Sequence, residues 1–310
     1  MIPVIVKNDY SDKAVSLTSR CQSLQSSPVI IAAAAHRLQV AGLEHARHEA
    51  EWLLGGLLGL KPLELYLWEE PISPRVIERF RSQIDARITG IPLQYLLGEA
   101  QFHGMRFAVA PGVFIPRPET EAVVEATLGV LRERQQQLAR GLRLLDLGTG
   151  SGCIAVTLAR ALPTCVVVGV EVTWEALRIA QQNVLRQGLA SRVWLVQGSW
   201  GEAMSGGFDG IISNPPYVPS THVEHLPPDV RHEPRASLDG GEDGMRELLQ
   251  IIAQAPRMLA QGGLVVLECG EGQVGALMRV ASASPWVKTA SPMADLAARP
   301  RGVLIRRHGG

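Results

Sequence analysis

Asn214-Pro215-Pro216-Tyr217 follows directly on an apolar run, Phe208–Ser213. Two adjacent prolines fix their own φ angles and carry no N–H donor, so the chain must turn rigidly out of the strand there. These residues suit one kind of chemistry. A planar amide or amino nitrogen is a poor nucleophile because its lone pair is delocalised. Two acceptors on its NH2 group orient it and stabilise the positive charge that grows as it attacks an electrophilic carbon. The Asn214 side-chain carbonyl and the Pro215 backbone carbonyl are such acceptors, and the Tyr217 ring can stack on the planar group. Neither a metal nor a covalent intermediate is required.

A second constellation lies upstream. Leu144-Leu145-Asp146-Leu147 runs into Gly148-Thr149-Gly150-Ser151-Gly152 and then a helical stretch, Cys153–Ala161. In open α/β sheets ligands bind at the carboxyl ends of the strands, near the topological switch point. Glycines there let the backbone approach a nucleotide-like ligand. The spacing is GxGxG rather than the GxGxxG of dinucleotide sites. Glu171 closes the next apolar run, Val166–Val170, where a carboxylate can accept hydrogen bonds from ribose hydroxyls. Turn and acid together fit a nucleoside-bearing cofactor. Alone they do not separate S-adenosylmethionine from a nicotinamide dinucleotide.

Elements able to position these residues follow from the hydrophobic pattern. Short apolar runs at Leu142–Leu147, Val166–Val170, Val193–Val196, Phe208–Ser213 and Leu264–Glu268 alternate with helical patterns at Thr120–Gln137, Cys153–Ala161, Trp174–Gln187 and Met245–Leu259. That alternation predicts an α/β fold with a parallel sheet covered on both faces, and Val303–Arg306 reads as a last strand. Upstream, Gln101–Val113 mixes Phe102, Phe107 and Val109 with Gly104, Pro111 and Gly112, which predicts a hairpin. Ile30–Thr89 has helical spacing punctuated by Pro62, Pro71 and Pro74 and reads as a small helical bundle. The expected division is a tail over 1–28, a helical domain over 29–97, a linking hairpin over 98–113 and an α/β domain over 114–310. His36, His45 and His48 are expected on solvated helix faces.

Composition narrows the function classes. At 310 residues the chain exceeds one core of about 100–200, so two domains are expected. With 46% hydrophobic and 19% charged residues it is globular rather than disordered. A formal net charge of zero argues against affinity resting on a nucleic-acid backbone. Cys21, Cys153, Cys165 and Cys269 form no CxxC pair, so free thiols are expected rather than a metal site or disulfide framework. No apolar run is long enough to span a membrane. Met1–Pro28 lacks the basic start and apolar core of a secretory signal, and Asp9 and Asp12 count against an organellar transit peptide. A cytoplasmic protein is the expectation.

At these motifs the chain resembles the NPPY methyltransferases, and within them the HemK/PrmC family of release-factor glutamine methyltransferases, from Ile31 to Arg307. Phe114-Ile115-Pro116-Arg117-Pro118-Glu119-Thr120-Glu121 is similar to the family's PRPETE signature. Gln94-Tyr95 with Gly98, then Phe102-His103-Gly104 with Phe107, resembles its linker hairpin. Asp146–Gly152 resembles its first cofactor motif, Glu233-Pro234 with Gly240–Gly244 its segment after the catalytic loop, and Leu267-Glu268 with Gly270, Gly272 and Gln273 its late sheet motif. The resemblance implies a class I S-adenosylmethionine-dependent methyltransferase domain, Rossmann-like, joined to a small N-terminal helical bundle by the hairpin. It implies methylation of the N5 nitrogen of the glutamine in the Gly-Gly-Gln motif of peptide-chain release factors, with S-adenosylhomocysteine as coproduct. No metal, membrane or direct nucleic-acid partner is implied.

The cofactor contacts carried over are Gly148, Thr149, Gly150, Ser151, Gly152, Glu171, Trp200 and Asn214. The substrate contacts are Asn214, Pro215, Pro216 and Tyr217, with Asn214, Pro215 and Tyr217 catalytic. Three positions depart from the family pattern: Glu171 stands where Asp is commoner, Ser199 where an acid precedes Trp200, and His232 where an aromatic residue precedes Glu233-Pro234. A related enzyme acting on a ribosomal-protein glutamine is disfavoured by PRPETE. An adenine-N6 nucleic-acid methyltransferase is disfavoured by the neutral charge and the absence of a recognisable target-recognition domain. An inactive binding scaffold is disfavoured by the intact NPPY, and a dehydrogenase would be told apart by cofactor binding.

Overall fold

The computed structural model describes residues 26–295 and 297–309. The expected tail over 1–28, with Asp9, Asp12 and Cys21, lies outside the described residues except at its end, where Ser27 and Pro28 already belong to the first helix. Two compact units divide the chain, the first ending at Leu97 and the second running from Gly98.

The first unit is helical: α1 (Ser27–Val40), α2 (Ala46–Leu58), α3 (Pro74–Ile88) and the short α4 (Leu93–Leu97). Its core is built from helix-spaced residues, Ile31, Ala34 and Leu38 of α1 against Ala50, Leu53 and Leu54 of α2 and Phe80 and Ile84 of α3. Ser73 caps α3 through Val76 N–H, with Pro74 at the first helical position, where a missing N–H costs nothing. Arg87 and Glu49 form a half-buried ion pair at 2.6 Å between α3 and α2.

The second unit opens with the hairpin β1 (Glu99–Phe102) and β2 (Met105–Ala108). Its turn, His103-Gly104, has φ of 50° and 72°, the left-handed pair that matches strand twist in a two-residue hairpin. The hairpin therefore begins ahead of Gln101, inside the expected 98–113 stretch, and ends before Val113. Helix α5 (Pro118–Gln136) follows, and then β3 (Arg143–Leu147), α6 (Cys153–Ala161), β4 (Val166–Glu171), α7 (Trp174–Arg186), β5 (Val193–Gln197) and β6 (Phe208–Ser213). The chain finishes with α8 (Arg246–Met258), β7 (Leu259–Glu268), α9 (Val274–Ser282), β8 (Val287–Ala294) and β9 (Pro300–Arg307).

The seven strands run in the order β5-β4-β3-β6-β7-β9-β8. The first five are parallel, and β9 and β8 join antiparallel. Period-two alternation sends Leu144, Ile212 and Val266 to one face of the sheet and Leu145, Ile211 and Val265 to the other, so each run reads as continuously apolar. Helix α8 covers the second face with Leu248, Ile251, Ile252, Ala255 and Met258 at helical spacing.

Two strand features differ from the sequence expectation. Strand β7 starts at Leu259, ahead of the expected Leu264, because Gly262-Gly263 reads as a breaker yet lies within the strand. Strand β8 has no counterpart in the apolar pattern. It is a largely exposed edge strand carrying Lys288, Thr289, Ser291 and Pro292, which protect an edge but erase alternation.

Register is what places the site. Leu147 at the end of β3 lies opposite Val170 of β4 and Ser213 of β6. Strand β3 leads to β4 on one side while β6 lies on the other, so the switch point falls between β3 and β6, beside the glycine turn and Asn214. Asn183 of α7 ties the hairpin to this edge. Its side-chain oxygen accepts from Ala108 N–H at 2.7 Å, and its NH2 donates to the carbonyls of Ala108 at 3.0 Å and Ser151 at 2.8 Å. Asn183 is fully buried, so truncation leaves one donor and two acceptors without water. Asn183→Ala is expected to cost about 2–4 kcal/mol, read as a lowered urea midpoint with unchanged m-value.

Candidate active site

The turn after β3 is built on three glycines with left-handed backbones, Gly148, Gly150 and Gly152, at φ of 71°, 55° and 81°. Two of them show why no side chain fits. A Cβ at Gly148 would come within 3.2 Å of the Trp200 ring, and one at Gly152 within 3.3 Å of the Ala180 side chain. Glu171 braces the turn from the end of β4. One carboxylate oxygen accepts Gly150 N–H at 3.0 Å, and the other accepts the N–H and hydroxyl of Thr173 at 3.0 and 3.1 Å. A carboxylate offers about four acceptor sites, so Glu171 retains capacity for a further donor.

A cavity of about 240 Å³ opens over this turn. Gly148, Thr149, Gly150, Ser151, Glu171, Ser199, Trp200, Asn214 and Pro216 line it, with Phe114, Ile154 and Val172 as apolar wall. Gly152, Pro215 and Tyr217 do not. Gly152 sits against α7, and Pro215 is buried at the root of the loop. Trp200 holds its ring in place by donating Nε1–H to Glu247 of α8 at 2.7 Å. His232, one of the three departures, is exposed beside the buried Glu233.

The cavity's chemistry fits a nucleoside sulfonium. Ser151 Oγ is buried at the cavity with only the Cys153 thiol, a weak partner, named beside it among the described residues. It faces the need for a polar ligand atom, while Glu171 offers an acceptor and the indole an aromatic wall. Asp146, fully buried behind the turn, takes Thr149 Oγ at 2.6 Å and Ala155 N–H at 3.0 Å on one oxygen. Burial pushes its pKa up to about 7 against those two hydrogen bonds.

The NPPY segment leaves β6 without a ladder partner and is held by other means. Asn214 donates its side-chain NH2 to Thr120 Oγ at 3.0 Å. Val218 N–H reaches the Leu238 carbonyl at 2.9 Å, and Gly240 N–H reaches the Val218 carbonyl at 2.9 Å. Gln273 donates to the Tyr217 carbonyl at 2.9 Å. A Cβ at Gly240 would lie 2.7 Å from the Pro216 carbonyl oxygen, so this segment packs on the loop backbone to backbone. The Tyr217 hydroxyl donates to Glu268 Oε1 at 3.3 Å. Burial, with Glu268 beside it, raises the Tyr217 pKa above its ordinary value.

Several of these partners escape the sequence reading. Thr120 stands inside PRPETE and Glu268 ends an apolar run, but neither carries a role that spacing reveals. Arg117 pairs with the buried Glu233, which also accepts Ile115 N–H at 2.8 Å, and its guanidinium lies 5.0 Å over the Phe114 ring. The PRPETE segment is thus clamped to the stretch after NPPY. A strand-end acid closing an apolar run is the one signal that could have marked Glu268, whereas Glu233, among Arg231, His232 and Arg235, carries no such signal.

A parallel sheet with a GxGxG turn, an acid at the next strand end and NPPY at the switch point defines a class I S-adenosylmethionine-dependent methyltransferase. Residues 30–98 match the PrmC N-terminal domain and residues 104–226 the Methyltransferase small domain. The release factor glutamine methyltransferase of Moorella thermoacetica is 41% identical over 276 residues, covering 88% of this chain and 96% of its own. That of Geobacter sulfurreducens is 44% identical over 235 residues, 75% of this chain and 80% of its own. This chain belongs to the release factor glutamine methyltransferase family. For the fold alone, the hMettl16 catalytic domain in complex with the MAT2A 3′UTR hairpin 6 aligns at a TM-score of 0.50 and 14% identity over 75% of this chain and 82% of that one.

Gly150 has open space around its α-carbon on the cavity side, where the nearest heavy atom to a Cβ is 4.0 Å away. A side chain there occupies ligand volume and strains a left-handed backbone. Gly150→Val is expected to abolish S-adenosylmethionine binding by calorimetry while the far-ultraviolet circular dichroism stays that of the folded protein.

Proposed function

We propose that this enzyme methylates the N5 nitrogen of the glutamine in the Gly-Gly-Gln motif of peptide-chain release factors, with Asn214, Pro215 and Tyr217 as its working residues. The observation that carries the reading is the orientation of Asn214. Its NH2 is committed to Thr120, and among the described residues no donor engages its Oδ1 at the cavity edge. A committed donor and an open acceptor are what a substrate NH2 group requires.

Bound over the glycine turn, S-adenosylmethionine supplies an electrophilic methyl group. The chain's own residues do the rest. Asn214 Oδ1 and the Pro215 carbonyl accept from the glutamine NH2, which orients the nitrogen toward the methyl group and stabilises the charge it gains. Tyr217, fixed by Glu268 and Gln273, gives the planar amide a face to rest on. Pro216 and Trp200 line the cavity with apolar surface that excludes water and strengthens those hydrogen bonds. Glu171 and Ser151, which line the cavity, would hold the cofactor.

We assign recognition of the intact release factor to the helical unit. It has its own core, and none of its residues lines the cavity. The compartment is the cytoplasm, in keeping with buried free thiols at Cys153, Cys165 and Cys269 and with no described helix long and apolar enough to cross a membrane.

Mass spectrometry of a release factor incubated with enzyme and S-adenosylmethionine should find one added methyl group on the Gly-Gly-Gln peptide. Asn214→Ala should lower kcat by about 10²–10³ while cofactor affinity falls less. Asn214→Asp should be no better than Ala, because a carboxylate cannot donate to Thr120. Near wild-type turnover in Asn214→Ala would remove Asn214 from the chemistry. A chain beginning at Gly98 should still bind S-adenosylmethionine yet methylate intact release factor far more slowly than the full protein. Full activity in that truncation would leave the helical unit without a part in recognition.

A further inference from the structure

Glu268 ends β7 beneath the NPPY loop, 2% exposed, with one oxygen receiving the Tyr217 hydroxyl at 3.3 Å. Its other oxygen is buried. The Thr120 hydroxyl lies against the same carboxylate and favours its charged form. Thr120 in turn accepts the Asn214 NH2 at 3.0 Å. Four side chains from α5, β7 and the loop therefore form one connected chain: Asn214, Thr120, Glu268, Tyr217.

The direction of this chain is set by chemistry. An ionised carboxylate can only accept, so the hydroxyl protons of Thr120 and Tyr217 must both point at Glu268. With its proton spent there, Thr120 Oγ has only lone pairs for Asn214. The Asn214 amide must then present NH2 to Thr120 and keep Oδ1 on the cavity side. A neutral group at 268 can donate as well. It can give Thr120 a proton, freeing the Thr120 hydroxyl to donate to Asn214 Oδ1. The flipped amide would set its NH2 against the substrate NH2, donor against donor.

We propose that Glu268 is a positioning residue for methyl transfer: as a carboxylate it orients the Thr120 hydroxyl, and through it holds the Asn214 amide with Oδ1 toward the reacting nitrogen. The inference rests on the role given to Asn214 above. The groups facing Glu268 are Tyr217 on the loop, Thr120 and Glu119 on α5, Arg301 on β9, and the thiols of Cys153 on α6 and of the neighbouring Cys269, which feel its charge. Burial outweighs the hydrogen bonds and Arg301 and pushes Glu268 up to about 7, so protonation and ionisation exchange near neutral pH. A group raised in this way is ionised above that value and protonated below it, so activity should fall as pH drops through about 7.

The test is steady-state kinetics of the full chain with intact release factor and saturating S-adenosylmethionine across the neutral pH range. Wild type should show kcat rising with one ionisation near neutrality. Glu268→Gln should lower the plateau kcat about 10- to 100-fold, the size typical of removing an outer partner of a working ligand. It should also erase the acid limb, with KM for release factor and calorimetric cofactor affinity near wild type. Its thermal midpoint at alkaline pH should not fall, because it removes a buried charge. Thr120→Val should lower kcat likewise, and Thr120→Ser, which keeps the hydroxyl, should restore what Val loses. Wild-type kcat in Glu268→Gln would overturn the proposal. So would an unchanged acid limb, which would belong to Asp146, the other carboxyl pushed to about 7. A lowered kcat accompanied by a lowered midpoint and an intact limb would mark Glu268 as structural only. A wild-type chain that transfers no methyl group to release factor would instead bring down the Asn214 reading on which this one stands.

Discussion

A backbone that leaves a parallel sheet through two prolines gives up its ladder and two of its donors at once. The exit at Ser213 must nevertheless be rigid, because a nitrogen held by two acceptors reacts only when those acceptors are fixed. The rest of the second unit answers this constraint. Ser213 itself is anchored by donating its hydroxyl to the Leu147 carbonyl at 2.6 Å, which ties the exit to the strand that ends in the glycine turn. Beyond it, the Val218 amide and carbonyl and the Tyr217 carbonyl are met by Leu238, Gly240 and Gln273, all drawn from later sequence. The glycine-rich Gly240–Gly244 stretch is needed because a backbone, rather than a side chain, must lie on the loop.

Two carboxyls behind this surface are held where water does not reach. Asp146 and Glu268 are both pushed up to about 7 chiefly by burial. For a raised acid the sign is unambiguous: the folded state holds the proton more tightly than the unfolded chain, so stability declines as pH rises from the ordinary carboxyl range toward 7. Raising a carboxyl from 4.5 to about 7 corresponds to roughly 3 kcal/mol given up when it ionises. A protein tolerates such a penalty where the charge has a task, and both residues sit one layer behind the cavity. Asp146 shapes the turn through Thr149 and Ala155, and Glu268 shapes the loop through Tyr217 and Thr120.

Much of this was legible beforehand, for identifiable reasons. Parallel strands buried on both faces announce themselves as unbroken apolar runs, so β3 to β6 stand out in the sequence. Glycines, prolines and strand-end acids are local signals, and Gly148–Gly152, Glu171 and Asn214–Tyr217 carry them. Edge strand β8 does not, since Lys288, Thr289 and Pro292 serve to keep an edge from pairing. The start of β7 is hidden by Gly262-Gly263. What spacing could not reveal are the long-range partners. Thr120 meets Asn214 across 94 positions and Arg117 meets Glu233 across 116, and neither threonine nor arginine differs locally from its solvated counterparts.

Asn183 joins three backbone groups that belong to different parts of the unit, two in the hairpin and one in the glycine turn. The hairpin has only two strands and little independent stability. Its order is therefore linked to that of the turn, and the two should open as a single cooperative segment rather than separately. A ligand that binds only the ordered turn stabilises that whole segment by mass action. The amide of Ala108, which does not line the cavity, then exchanges its hydrogen more slowly when the cavity is filled, so cofactor occupancy is reported in the hairpin without any change of shape.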